Sequence, residues 1–433
     1  MDEKAKPKLK LNSWLLPALA LAALITDLLT PYKGWRILFV ALSGAWLISY
    51  LWARSLAKGL QLSREMRFGW AQVGDRLVER FTLRNEGWAP AVWAEIQDQS
   101  TMPNYQVSRG TGLPGRDSIR WHAEAICTRR GLFTLGPTQL QAGDPFGLYT
   151  ISFEYPATMP LLVLPPIVPL PTIEVAPGGR SGSGRPRTNA ADRTVSASSV
   201  REYLPGDSRR WIHWKTSARH NELYVRLFDG TPSSDWWILL DIDRTVQVGE
   251  GEDSTEEHGV ILAASLADRG LRMRRSVGLV AHGDQLVWLP PRTGEGHRWE
   301  VLRSLALVNS GSRPLSELLD RVRSSIGPRS SIVIITPSMN TQWIEGLLPL
   351  IRRGAAPTVL LLDPESFGGG GTADVLTTAL INMGVANYRI TKDVLDRPEM
   401  RPGQQGLWNW RALGTGKVVP VRQLADSPWR VLR

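Results

Sequence analysis

Two long apolar runs open the chain, and the spacing of apolar positions then changes twice more before the C-terminus. Leu11 to Leu29 is interrupted only by Asn12, Ser13, Pro17 and Asp27, and Ile37 to Ala53 contains no charge. At 1.5 Å rise per residue, about 20 such residues cross a hydrocarbon layer of roughly 30 Å. Pro31-Tyr32-Lys33-Gly34 between them reads as a tight turn, so residues 1–60 are expected to form a helical hairpin with two membrane spans. Trp14, Trp35 and Trp52 fall at the span ends, where indole rings favour the lipid–water interface. A cleaved signal peptide would account for the first run alone. Two buried core helices would account for both, but leave the flanking lysines and tryptophans unexplained.

From residue 61 the period drops to two. Phe81 and Leu83 alternate with Arg80, Thr82 and Arg84, and Val92, Ala94 and Ile96 alternate with Trp93, Glu95 and Gln97. That is the pattern of half-buried strands. Turns at Asn85-Glu86-Gly87, Arg130-Gly131, Gly136-Pro137 and Asp144-Pro145-Phe146-Gly147 punctuate them, and 61–164 is expected to be a sandwich-like antiparallel domain. Residues 165–199, rich in Pro, Gly and Ser, read as a linker. Their glycines match neither nucleotide-binding fingerprint.

A third pattern covers 234–395. Trp236 to Asp243 is a nearly continuous apolar run, which marks a strand buried on both faces. Ser254-Thr255-Glu256-Glu257 reads as a capping box opening a helix that stops at Gly270. Strands at Ser276 to Ala281, Ser331 to Thr336 and Thr358 to Leu362 alternate with helices at Trp299 to Val308, Thr341 to Arg353 and Ala373 to Met383. The expected architecture is a doubly wound α/β domain with a parallel sheet. Residues 396–433 read as an irregular tail carrying Trp408, Trp410 and Trp429.

Composition narrows the chemistry. Apolar residues at 42% and charged residues at 21% describe a folded chain. One cysteine, Cys127, rules out an intrachain disulfide framework and a cysteine zinc cluster, and the six histidines form no HExxH pair. The net charge of +10 is concentrated: residues 1–70 carry ten Lys/Arg against four Asp/Glu, and residues 180–219 carry nine against three. The first surplus flanks the apolar runs, with Lys4, Lys6, Lys8 and Lys10 before them and Arg54, Lys58, Arg64 and Arg67 after. The positive-inside bias then puts the N-terminus and the soluble domains in the cytoplasm. Outside the anchor the surplus is small, and a nucleic-acid partner is not expected.

The second surplus lies in the segment 200–233. Here Pro205-Gly206 is a turn pair, and Asp207 is placed to cap a helix from about Ser208 to Ala218. The run Arg201, Tyr203, Pro205, Gly206, Asp207, Arg210, Ile212, His213, Trp214, Lys215, Ser217, Ala218 and Arg219 resembles, residue by residue, the signature R-x-Y-x-P-G-D…R-x-I-H-W-K-x-S-A-R of the membrane proteins grouped as domain of unknown function 58. The paired apolar runs, the Arg130-Gly131 and Gly136-Pro137 turns and Asp144-Pro145-Phe146-Gly147-Leu148 extend the resemblance. It implies a partner, a MoxR-type AAA+ ATPase, and an assembly role; it does not imply a reaction.

Three uses of the segment stand side by side. As structure, Glu202 and Asp207 pair with nearby arginines while the tryptophans pack a boundary. Arg201, Tyr203, Gly206, Asp207, Arg209, Arg210, His213, Trp214, Lys215 and Arg219 could form a docking site for a partner or an anion. His213 and Lys215 could act as base or nucleophile in a hydrolase acting on an anionic substrate.

The α/β domain is similar to a von Willebrand factor A domain in its order of elements and in the acidic end of its first strand. Ligands of open α/β sheets bind beyond the carboxyl ends of the strands. Asp241, Asp243 and Thr245 stand there, and such a set could hold Mg²⁺. Metal-binding A domains carry D-x-S-x-S at this place, whereas this chain reads D-I-D-R-T, so a metal-free interaction domain is the other reading. The whole is expected to work as a membrane-anchored, cytoplasm-facing scaffold without catalysis of its own.

Overall fold

A computed structural model describes residues 7–66, 69–170, 173–178, 197–203, 212–220, 222–228, 235–328, 330–395, 408–412, 418–422 and 430–431. The chain divides into two compact units, residues 1–165 with 398–433, and residues 166–397.

The first unit begins with a strand. Lys8–Leu11 alternates lysine and leucine and pairs antiparallel with Tyr149–Tyr155, so the first apolar run is helical only from Leu15 to Leu29. A second helix spans Lys33–Gly59 and packs against the first, with Arg36 paired to Asp27 at 3.2 Å. Lys33–Gly59 is long and apolar enough to cross a membrane; Leu15–Leu29 is a shorter apolar helix.

No linker follows the second helix. Its last backbone bond, Leu60 N to Leu56 O, leads directly into the strand Leu60–Met66. The final turns of the helix belong to the β-rich core: Ala53 and Leu56 are fully buried in the same cluster as Phe81, Leu83, Ile96, Leu140 and Ile151. Polar side chains fasten the contact. Trp46 Nε1 donates to the Tyr149 hydroxyl at 2.7 Å, Ser49 Oγ to Asp144 Oδ2 at 3.0 Å, and Trp52 Nε1 to the Pro90 carbonyl at 2.9 Å. Gly59 permits the close approach beneath, because a Cβ there would lie 2.3 Å from the Gly87 nitrogen.

The sheets form as their two-residue periods predict. Five strands order as Lys8–Leu11, Tyr149–Tyr155, Thr138–Gly143, Ala91–Asp98 and Arg109–Leu113. Four more order as Arg430–Val431, Leu60–Met66, Arg76–Asn85 and Asp117–Ile126. The tail is therefore not irregular throughout: Arg430–Val431 joins that sheet, and Trp408–Ala412 pairs with Val418–Arg422. Trp429 lies outside the described residues.

A buried cation sits between the sheets. Arg64, only 6% exposed, reaches Glu79 at 2.7 Å and Asp98 at 2.8 Å and donates to Thr138 Oγ1 at 3.1 Å. Burial holds the Glu79 carboxyl above the usual carboxylate range, although the Arg64 guanidinium pulls it back. Removing one member of a buried charge group leaves the others unpaired in low dielectric.

The second unit is an α/β sheet. Its strands order as Leu286–Arg292, Val277–His282, Trp236–Leu240, Ser331–Thr336, Ala356–Leu362 and Ala386–Ile390. Five are parallel, but Leu286–Arg292 runs antiparallel at the edge, so the sheet is mixed. That strand carries Pro290-Pro291, which lack ladder donors and are tolerated at an edge. Trp237 and Leu239 enter one core with the additional helix Leu315–Val322, while Leu240, on the opposite face, meets the helix Thr255–Arg272 beside Gly259. Ser254 caps that helix, its hydroxyl accepting from Glu257 N at 3.2 Å. The expected helix over 341–353 divides into a 3₁₀ turn, Gln342–Leu347, and a short α-helix, Leu348–Arg352.

The first part of the proline-rich stretch is not a free linker. Backbone amides of Val168, Glu174, Ala176 and Gly178 donate to the hydroxyls of Ser265, Tyr388, Thr358 and Ser331, at 2.9–3.1 Å. The stretch is thus strapped to the α/β unit, because its amides find acceptors there. Residues 179–196 lie outside the described residues.

Replacing the buried cation tests this account of the first unit. Arg64→Met is expected to lower the stability of the full chain by about 3–5 kcal/mol, measured by urea unfolding in detergent. Adding Glu79→Gln and Asp98→Asn to it should recover part of the loss. A loss no larger than that of an exposed ion pair, below about 1 kcal/mol, would contradict the account.

Candidate functional site

The signature segment folds as a two-stranded ribbon with a short helix between its strands. Ala197–Glu202 pairs antiparallel with Tyr224–Phe228, and Tyr203 N donates to the Leu223 carbonyl at 2.7 Å. The helix is Trp214–His220, so it starts six residues later than the sequence suggests. His213 explains the start. Its own amide is held by the Tyr224 carbonyl at 2.7 Å, and its carbonyl and Nδ1 accept from the Thr216 amide at 3.0 and 3.3 Å. Its carbonyl also accepts from Ser217 Oγ, which in turn accepts from Tyr224 N.

This fastening decides which side chains are free. Ile212, Ser217 and Val225 are buried, whereas Trp214 is 68% exposed and Lys215 and Arg219 stand in solvent on the same short helix. An exposed indole on a helix that also exposes two cations is suited to a protein surface. Tyr203 is half-buried on the ribbon. His213 Nδ1 lies 2.6 Å from Thr216 Oγ1. The backbone of Arg201 lies in the ribbon, but its side chain, and Gly206, Asp207, Arg209 and Arg210 altogether, lie outside the described residues. The proposed Asp207 cap lies there too.

A second cluster sits beyond the carboxyl end of the first α/β strand. Asp241 and Asp243 are both buried. Asp241 Oδ1 accepts from Asp243 N at 3.1 Å, and Asp243 Oδ1 accepts from Thr245 N at 3.0 Å, so each carboxylate folds back onto the following backbone. Asp241 Oδ2 accepts from the Thr336 hydroxyl at 2.6 Å, and Thr336 Oγ1 in turn accepts from Ser338 N at 2.9 Å. Thr336, at the end of the neighbouring strand, was not marked by any local motif; only the parallel pairing of Trp236–Leu240 with Ser331–Thr336 brings it there.

Burial pushes the Asp241 carboxyl up to about 6; the bonds from Thr336 and Asp243 N pull it down, and the Asp243 charge pushes it further up. Among the described residues, no group of three or more His, Cys, Asp or Glu could hold a metal ion. Two carboxylates and hydroxyls are the donors present, and three of the carboxylate oxygens already accept hydrogen bonds.

Comparison with known proteins follows the same segment. The family described as protein of unknown function DUF58 matches residues 199–366, which hold the ribbon, the short helix and the strand-end carboxylates. The chain is 26% identical over 370 residues to the uncharacterized protein YeaD of Bacillus subtilis, covering 77% of this chain and 89% of that one. It is 26% identical over 184 residues to the uncharacterized protein Rv1480 of Mycobacterium tuberculosis, covering 41% of this chain and 57% of that one. Among solved structures, proximal thread matrix protein 1 from the mussel byssus overlaps with a TM-score of 0.28 at 12% identity, over 40% of this chain and 45% of that one. A CARDB domain from Pyrococcus furiosus overlaps with a TM-score of 0.17 at 9% identity, over 24% of this chain and 94% of that one. The match over 199–366 therefore places most of the signature ribbon and most of the α/β unit within the DUF58 pattern.

Proposed function

We propose that this chain is a scaffold anchored in a membrane by both apolar helices, with its N-terminus and its two units on the cytoplasmic side, and that it recruits a partner protein through the signature helix. The observation that carries the reading is Trp214: a large aromatic side chain, 68% exposed, on a helix held rigid by buried neighbours. Lys215 and Arg219 beside it favour an acidic partner surface. Resemblance to the domain of unknown function 58 proteins supplies the partner class, a MoxR-type AAA+ ATPase. The α/β unit, read as von Willebrand factor A-like, supports the same assembly role. Lipid is the second partner, and no nucleic acid is required.

In this reading the strand-end carboxylates fasten the turn after the first strand and do not need Mg²⁺. If the ion were held, Asp241, Asp243 and Thr245 would hold it, as oxygen ligands suit a hard cation. The 2.6 Å approach of His213 Nδ1 to Thr216 Oγ1 favours one other reading, a hydrolase in which His213 activates that hydroxyl for attack on an anionic substrate drawn to the basic segment.

Affinity capture of the full chain from solubilised membranes, with and without nucleotide and Mg²⁺, tests the first reading. Trp214→Ala with Lys215→Glu is expected to reduce recovery of the ATPase about tenfold or more, while the variant folds normally. Recovery unchanged by the substitutions would reject the docking helix, and loss of activity on Thr216→Ala with capture intact would favour the hydrolase.

The carboxylate cluster has its own test. An acid whose folded pKa is raised to about 6 contributes full stability below its unfolded value of about 4 and loses it as the pH rises through 6. Asp241→Asn is therefore expected to gain stability over the parent chain between these pH values, read as a rising difference in thermal midpoint. At pH 7, Mg²⁺ should leave the parent's midpoint unchanged. A rise with Mg²⁺ that Asp241→Asn abolishes would contradict the metal-free reading.

A further inference from the structure

The helix Lys33–Gly59 carries exposed apolar side chains down to Leu51, and the β-rich domain begins to cover it at the same height. Where the two meet, the domain turns two large aromatic side chains outward. Phe146, at the tip of the Asp144-Pro145-Phe146-Gly147 turn, is 61% exposed, and Trp88 is 57% exposed. The turn is rigid: Asp144 Oδ2 accepts from Phe146 N and from Ser49 Oγ of the helix, and Oδ1 accepts from Tyr149 N at 2.6 Å. Trp88 packs edge-on against Trp52 of the same helix, with ring centroids 5.7 Å apart. Asn12, two residues before the 73% exposed Trp14, donates to the Gly147 carbonyl at 3.1 Å.

These contacts fix the height of each ring against one helix. Phe146 sits by Ser49, and Trp88 sits by Trp52, three residues further along. Ser49 and Trp52 are about 5 Å apart along the axis, which is within the thickness of a headgroup layer. Arg54 and Lys58, exposed on the next turn, stand where phosphate headgroups would meet them.

We infer that this rim of the β-rich domain, led by Phe146 and Trp88, inserts into the interface of an anionic bilayer, so that the domain is clamped to the lipid surface on a second contact besides the helices. The occupant is lipid because Phe146 and Trp88 are held at Ser49 and Trp52, level with the exposed apolar side chains Ile48 and Leu51 of the same helix. The inference rests on the membrane reading of those helices.

Nitroxide labels on the full chain in nanodiscs of phosphatidylcholine and phosphatidylglycerol separate the two claims. Cys127 does not interfere: it is buried, and burial, with the Asp75 charge behind it, pushes its thiol up to about 12. Labels are placed at Phe146→Cys and Trp88→Cys. Val40→Cys on the exposed side of the helix serves as the lipid reference, and Glu124→Cys serves as the aqueous one. Glu124 pairs with the strand position Val78, seven residues from Asn85 at the helix end, or about 23 Å away.

With Val40→Cys in lipid, the inference predicts that both rim labels gain oxygen collisions and lose collisions with a water-soluble nickel complex, relative to Glu124→Cys. Rim labels as accessible to nickel as Glu124→Cys, with Val40→Cys still in lipid, would overturn the rim and leave the span standing. A nickel-accessible Val40→Cys would overturn the span, and the rim with it.

Discussion

Everything in the first unit depends on a helix that ends inside a protein core. Lys33–Gly59 is apolar and exposed along its first part, yet Ala53 and Leu56 are as buried as the centre of the sheets, and Leu60 is already a strand residue. A helix cannot bend freely within its own hydrogen-bond ladder, and the polar bonds from Trp46, Ser49 and Trp52 tie three successive turns to the domain. The helix and the β-rich domain therefore move as one piece. That constraint gives the Asp144 turn its role, since its buried carboxylate is the acceptor that joins helix to sheet.

The two units divide the work differently. In the first, Arg64 is buried and paired between Glu79 and Asp98, and large aromatic side chains such as Phe146 and Trp88 are exposed. In the second, buried polar groups such as Asp241 and Thr336 stabilise strand ends, and the ribbon offers one indole with its cations to solvent.

Much of this was legible in the residues. Alternation at Phe81 and Leu83 and the unbroken run at Trp236 give strands of the expected kinds, and the Ser254 cap starts its helix where the capping box places it. Failures have physical causes. Lys8-Leu9-Lys10-Leu11 carries a two-residue period, but four residues beside a long apolar run read as its flank, and only the partner Tyr149–Tyr155 makes them a strand. Leu286–Arg292 carries Pro290-Pro291, which lack ladder donors and fit a strand only at the edge that the fold gives it. The strap over 166–178 depends on hydroxyls 97 to 214 residues away, and Thr336 reaches Asp241 across 95, so no local pattern announces either. The signature helix begins at Trp214, with His213 accepting from the Thr216 amide of its first turn.

Amide hydrogen exchange across residues 46–66 of the full chain in lipid nanodiscs addresses the rigid junction most directly. The account predicts protection at Leu56 to Leu62 as strong as that of the central strand Arg76–Asn85, with no break where helix becomes strand. Rapid exchange confined to Ala57 to Gln61, between protected helix and protected sheet, would show a flexible tether and contradict it.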